Sequence, residues 1–436
     1  MFGCPCGRGR ELLEKHKAGK PLPLPIRRGR VNFGVAVRPI HPTKHLFGSH
    51  QMGGAGSNQG GGLHMKVTVE RADLLRSLSH VHRVVERRNT IPILANVLVR
   101  ADRSQLSFKA TDLDLEVIET VAADVGPPGV TTVPAHMFYE IVRKLPEGAQ
   151  VVLEAPGDRA VMTIRAGRSR FSLQTLPESD FPDLAAGDLT HRFTVGATDL
   201  KRLIDKTQFA ISTEETRYYL NGIYLHTAGS GKKLSLRAVA TDGHRLAQVD
   251  LAAPAGADGM PSVIIPRKTV GEIQRLIEDI DSEVVIELSQ AKIRFTVGSV
   301  VLTSKLIDGT FPDYARVIPH NNDKQLEVER KEFEQAVDRV STVSSERGRA
   351  VKLSIAAGKL VLSVTNPDSG SATEELEVVY EADPIDIGFN SRYLLDIAAQ
   401  IDGDTAVLRL ADPGSPTLIE DKANKGALYV LMPMRV

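Results

Sequence analysis

Cysteine is almost missing from this chain of 436 residues. Its only two, Cys4 and Cys6, lie within the first ten positions, so no disulfide framework holds the fold together and a reducing compartment is the natural setting. No further cysteine exists to complete a metal site with Cys4-Pro5-Cys6, and neither a metal nor a cofactor is expected. Tryptophan is absent and aromatics make up 5% of the residues, which leaves aliphatic side chains to fill the cores. No stretch approaches the roughly 20 apolar residues that span a bilayer, and no apolar run with a small-residue cleavage site marks a secretory signal. Phosphate-binding loops, dinucleotide fingerprints, nucleophile elbows and His-Glu-x-x-His are all missing. A cytoplasmic globular protein without an obvious active site is what these absences leave.

Charge of one sign is also lacking, since 54 basic residues balance 54 acidic ones. The balance conceals an asymmetry. Residues 1–64 carry ten Lys/Arg against Glu11 and Glu14, together with 13 Gly and 6 Pro. Such a composition buries little and predicts a disordered basic extension. Met65 then opens a strand pattern, Lys66-Val67-Thr68-Val69, and is read as the start of the folded protein. The remainder is acidic on balance, so any contact with nucleic acid requires its basic residues to gather on one surface.

What is present from Met65 onward is one unit used three times. Each copy opens with a strand and an amphipathic helix: Val67-Thr68-Val69 before Leu74, Phe193-Thr194-Val195 before Leu200, and Leu326-Glu327-Val328 before Phe333. Val69, Val195 and Val328 are spaced by 126 and 133 residues. A second marker, where a strand meets a turn, reads Ala110-Thr111-Asp112, Ala240-Thr241-Asp242 and Val364-Thr365-Asn366. A third, strand into helix, reads Val133-Pro134-Ala135, Ile265-Pro266-Arg267 and Ile387-Gly388-Phe389. Phe181-Pro182-Asp183 and Phe311-Pro312-Asp313 close the first two copies. The fold class is therefore α+β, with about eight strands and two helices per copy. The domains run over 65–188, 189–318 and 319–436, each long enough to bury its own core.

The 3.6-residue period places basic residues on the outer faces of these helices. Arg76, Arg83, Arg87 and Arg88 lie on or after a helix over 71–85. Lys201, Arg202 and Lys206 face out of the next, and Arg143, Lys144, Arg267, Lys268 and Arg275 out of the second helices of copies one and two. The last helix, over 391–401, contributes Arg392. The one pairing with the look of catalysis is Asp242 with His244, which an acid–base hydrolase could use. The equivalent Asp112 and Asn366 have no such histidine, and a turn aspartate bonding its own backbone is the alternative.

These residues carry a family resemblance. Thr90-Ile91-Pro92-Ile93-Leu94, Gly167-Arg168-Ser169-Arg170-Phe171-Ser172-Leu173, Arg217-Tyr218-Tyr219-Leu220-Asn221-Gly222, Ala240 to Leu246, Ser304-Lys305-Leu306, Phe311-Pro312-Asp313-Tyr314 and Tyr429 to Val436 occur in order. Together they resemble the bacterial DNA sliding clamps, the β subunits of DNA polymerase III, across the whole chain from Met65. The resemblance implies a non-catalytic homodimer closed head to tail into a ring around duplex DNA. Arg88, His136, Tyr218, Tyr219, Arg267 and Lys268 are then expected to touch DNA, with Glu214 and Glu215 placing acid beside them. A pocket for partner peptides maps to Leu220, Thr241, Gly243, His244, Arg245, Leu246, Pro312, Arg316, Val317, Val430, Met432, Pro433, Met434 and Arg435. Its occupants would be the polymerase III catalytic subunit, the clamp loader and other proteins carrying a clamp-binding motif. Phe171 and Leu173 would meet Thr342 and Val343 of a second subunit. A DNA-binding protein that closes no ring stays open as the alternative.

Overall fold

The computed structural model describes residues 65–157, 159–184, 187–344 and 349–436. The expected extension over 1–64, with Cys4 and Cys6, lies outside them. Copy one comprises β1 (Met65–Glu70), α1 (Arg71–Val81), β2 (Asn96–Asp102), β3 (Gln105–Thr111), β4 (Leu115–Ala122), β5 (Asp124–Val125), β6 (Gly129–Pro134), α2 (Ala135–Lys144), β7 (Gln150–Ala155), β8 (Val161–Ala166) and β9 (Ser169–Gln174). Copy two follows with β10 (His191–Gly196), α3 (Ala197–Gln208), β11 (Gly222–Ala228), β12 (Ser235–Thr241), β13 (Arg245–Ala252), β14 (Val263–Pro266), α4 (Arg267–Leu276), β15 (Glu283–Leu288), β16 (Lys292–Val297) and β17 (Val300–Lys305). Copy three has β18 (Lys324–Glu329), α5 (Arg330–Ser341), β19 (Ala350–Ala356), β20 (Lys359–Asn366), β21 (Gly370–Glu377), β22 (Ile385–Asn390), α6 (Ser391–Ala398), β23 (Thr405–Leu410), β24 (Thr417–Asp421) and β25 (Ala427–Leu431).

In β1 and β19 buried residues alternate with more accessible ones, because each sheet turns one face to the helices and the other to solvent. The helices bury the apolar stripe that the period predicts: Leu74, Leu78 and Val81 in α1, Phe138 and Val142 in α2, Phe333, Ala336, Val337 and Val340 in α5. α1 and α6 are shorter than expected. α1 stops at Val81, where His82 Nδ1 bonds the Leu78 carbonyl at 2.7 Å, and α6 stops at Ala398. One outward assignment was wrong. Lys206 is buried, with its ammonium on the Gln400 carbonyl and the Asp402 carboxylate of copy three. The period identifies a helix face but not what packs against it.

Sheets do not stop at the copy boundaries. One eight-stranded sheet runs β10-β15-β16-β17-β4-β3-β2-β6, so β17 of copy two pairs with β4 of copy one. A second runs β14-β11-β12-β13-β25-β24-β23-β18, with β25 of copy three on β13 of copy two. Both joints are antiparallel and use the same two repeat positions. The first and last sheets, β5-β1-β7-β8-β9 and β21-β20-β19-β22, therefore end in the unpaired edges β9 and β21.

Candidate functional site

At the second joint the hairpin between β12 and β13 sets the geometry. Asp242 Oδ1 accepts from the backbone N–H of His244 (2.9 Å) and of Arg245 (3.0 Å), and Thr241 Oγ1 accepts from Gly243 N–H. This Asx turn drives Gly243 to φ +88°, a conformation that glycine adopts without penalty. Asp242 Oδ2 takes Arg245 Nε at 3.2 Å. Both carboxylate oxygens are thus committed, and the acid–base dyad with His244 does not form.

Arg245 is the hub of this joint. Its Nη1 meets Asp396 of α6 at 2.6 Å, its Nη2 donates to the Phe209 carbonyl at 2.6 Å, and its guanidinium lies 4.3 Å from the ring centre of Tyr393. Such a fork of charge-assisted bonds fixes one geometry. The chain end closes the other side, where Met432 N–H donates to the His244 carbonyl (2.9 Å) and Met434 N–H to the Gly388 carbonyl (2.7 Å). A side chain at 388 would strike Val436 and the Met434 carbonyl, so glycine there lets the terminus lie close.

Between these elements lies a cleft of about 280 Å³. Leu220, Leu246 and Val430 on its lining belong to a small apolar cluster with Val239, Ile264 and Phe311, separate from the main core. Of the expected pocket residues, Leu220, Thr241, Gly243, His244, Arg245, Leu246, Pro312, Val317, Val430 and Met432 line it. Arg316 is not on the lining and pairs with Asp313 (2.7 Å), and Pro433, Met434 and Arg435 lie beyond it. Arg217, Tyr219, Asp313 and Tyr314 line it without having been assigned to it. Each stands inside a motif that the sequence had already singled out. The cleft thus combines an apolar lining with a few polar groups at its rim.

The expected DNA residues part company. Arg88, Arg267 and Tyr218 are exposed. Arg267 lines two adjoining grooves, one of them shared with Arg349 and Arg392. Lys268 instead ties copies one and two, donating to Asp112, to Glu86 (3.1 Å) and to the Val84 carbonyl (3.3 Å). Burial opposes its charge, but the two carboxylates outweigh burial and raise its pKa. His136 Nε2 sits 2.8 Å from the Val85 carbonyl, which anchors the loop after α1 that carries Arg88. Tyr219 belongs to the cleft wall. Glu214 is engaged by Arg217 at 2.8 Å, which holds its carboxyl below the usual range. Phe171 is exposed on β9, Leu173 is buried in its own subunit's core, and Val343 offers its carbonyl to Asn366 Nδ2 (3.0 Å) just beyond Thr342, the C-cap of α5.

Three family models match in tandem. They are the N-terminal, central and C-terminal domains of the DNA polymerase III beta subunit, over residues 65–185, 194–313 and 315–435. A beta sliding clamp of Caulobacter vibrioides is 55% identical over 372 residues, covering 85% of this chain and all of the relative. That of Escherichia coli K12 is 43% identical over 376 residues, with the same coverage. Among solved structures, a DnaN sliding clamp from Bartonella birtlesii bound to griselimycin superposes with a TM-score of 0.83 at 58% identity, covering 86% of this chain and all of that one. A C. crescentus beta sliding clamp with PEG bound to a putative beta-motif tethering region gives 0.84 at 55%, with the same coverage.

Proposed function

The chain belongs to the DNA polymerase III beta subunit family, and from that premise we propose how its surfaces divide the family's work. The function itself is that of a sliding clamp, a non-catalytic processivity factor whose homodimeric ring encircles duplex DNA and tethers a polymerase to it. Arg88, Arg267 and Tyr218 form the DNA-facing set, while Lys268 and His136 hold the elements that present them. Contacts of this kind reach phosphates and carry no sequence information. They bind weakly, at roughly 10⁻⁴–10⁻⁶ M, and weaken further with salt, so the duplex slides while the ring keeps it from escaping.

The cleft beneath Tyr219, Leu246 and Met432 takes short extended peptides from the polymerase III catalytic subunit, the clamp loader and other partners. Methionine adapts to varied side chains, and tethering raises a partner's effective concentration at the primer end. Ring closure is the part carried by a single observation, the repeat of one joint. β17 pairs with β4 and β25 with β13, and β9 with a second subunit's β21 is the third member of that series. Pairing these edges also removes an aggregation hazard. The test is retention on nicked circular DNA. The protein stays on the circle and leaves once the circle is cut, and equal loss from circular and linear molecules would sink the ring reading.

A further inference from the structure

The wall of the cleft that carries Tyr314 is held from behind by a polar network. Tyr314 opens the turn Tyr314–Val317. Its ring meets Tyr224 and Phe311 edge-on, and those two stack with centres 4.7 Å apart. Its hydroxyl reaches the strands behind them, with His226 Nε2 of β11 at 2.9 Å and Arg237 Nη1 of β12 at 3.2 Å. Arg237 is itself gripped by both carboxylate oxygens of Asp250 on β13, at 2.6 and 2.8 Å.

The partners determine where the protons sit. Arginine only donates, so the Tyr314 oxygen accepts from Arg237. His226 Nδ1 lies 2.9 Å from the Thr227 carbonyl, which only accepts, so that nitrogen carries the hydrogen. Neutral His226 then presents Nε2 as an acceptor, and the Tyr314 hydroxyl donates to it. Burial lowers the His226 pKa, and the Arg237 cation acts in the same direction. Protonation would make Nε2 a donor, strip the Tyr314 proton of its acceptor and set a second cation against Arg237. Asp250 faces the pair from β13, but both its oxygens are already engaged by Arg237.

We propose that His226, Arg237 and Tyr314 are positioning residues for the docking cleft, holding the Tyr314–Val317 wall in its peptide-accepting place and releasing it when His226 takes up a proton. The inference rests on the cleft's being the partner-peptide site. The probe is a capped pentapeptide of Leu, Phe and uncharged polar residues, titrated calorimetrically against the full chain at about pH 7.5 and about pH 5, below the ordinary histidine pKa of about 6.5. Affinity of the parent falls about ten-fold at the lower pH, the size of one lost buried hydrogen bond. His226→Gln, compared with itself at the two pH values, loses much of that pH dependence. Tyr314→Phe keeps the ring, binds about ten-fold more weakly at neutral pH and has the same flattened profile. His244 lines the cleft in all three proteins, so the difference between parent and His226→Gln isolates His226. Parent-like affinity in Tyr314→Phe, or a parent-like pH slope in His226→Gln, would overturn the proposal. A parent that holds circular DNA yet binds no peptide at either pH removes the docking reading, and this inference with it.

Discussion

Asp112, Asp242 and Asn366 occupy one position of the repeat, and each accepts backbone N–H bonds from the turn it begins. That role was legible in the sequence because an Asx turn is local chemistry. The residue after it is pushed to positive φ, +88° at Gly243 and +80° at Leu113. The long-range partners were not legible. Nothing near Arg245 announces Asp396, 151 residues away, and nothing near Lys268 announces Asp112 and Glu86. Two neighbouring cations therefore do different work. Arg267→Ala should shorten retention on DNA circles and leave thermal stability alone, since no carboxylate among the described residues pairs with Arg267. Lys268→Ala should cost on the order of 1–2 kcal/mol of stability, because the Asp112 carboxylate loses its cation. Thermal melts beside a DNA-retention assay separate the two, and an unchanged melt for Lys268→Ala would return that residue to the DNA surface.

At the scale of elements, the two joints each leave a space of similar size, one lined mainly by apolar groups and the other by charged ones. The hairpin β3–β4 repeats β12–β13, so Lys109 and Glu116 stand where Val239 and Leu246 stand in copy two. Leu246 lines the cleft, and Val239 packs with it in the same buried apolar cluster. Lys109 and Glu116 form an ion pair at 3.1 Å, joined by Asp183, with the Lys109 ammonium over the Phe181 ring. The space left there, about 270 Å³, is bordered by the charged Arg100, Lys109, Glu178 and Asp183 as well as by Leu98, Ile118 and Phe181. A peptide with apolar side chains would have to strip those charges of their partners, which is costly. Transplanting the pair, Val239→Lys with Leu246→Glu, should abolish pentapeptide binding while leaving ring assembly and retention on circles intact. Calorimetry reads the first and sedimentation the second. Peptide binding at parental strength would show that this apolar cluster does not select the ligand. The strand-then-helix order of each copy was readable from the sequence, but α1 and α6 end early and the third copy's strand meets its helix at Asn390-Ser391, beyond the Ile387-Gly388-Phe389 marker. The contrast between the two joints was written in the same markers, but its meaning needed the two hairpins laid on one frame.

At the scale of the whole molecule, the repeat also supplies the register of the unseen joint. In the first joint Val300 of β17 pairs with Glu119 of β4. Gly167 and Gly298, at φ +55° and +56°, occupy one turn position before β9 and β17, so Ser169 corresponds to Val300. Glu119 bonds His80, the tenth residue of α1, and Glu374 of β21 bonds Arg339, the tenth residue of α5; Glu374 thus corresponds to Glu119. Ser169 should therefore face Glu374 of the second subunit, and an antiparallel ladder then sets Arg168 opposite Glu375 and Phe171 opposite Ala372. The edges are suited in charge, Arg168 and Arg170 on one against Glu374, Glu375 and Glu377 on the other. Opposite charges directly across a strand pair contribute roughly 0.2–1 kcal/mol, and like charges repel by a similar amount. Arg168→Glu alone and Glu375→Arg alone should each weaken the dimer by at least about four-fold and shorten retention on circles, because each replaces attraction by repulsion at both interfaces of the ring. The double variant restores opposite charges in reversed order and should recover most of the loss. Analytical ultracentrifugation over a dilution series measures it. If the double variant dissociates as readily as the singles, or more so, the register fails even though the ring stands.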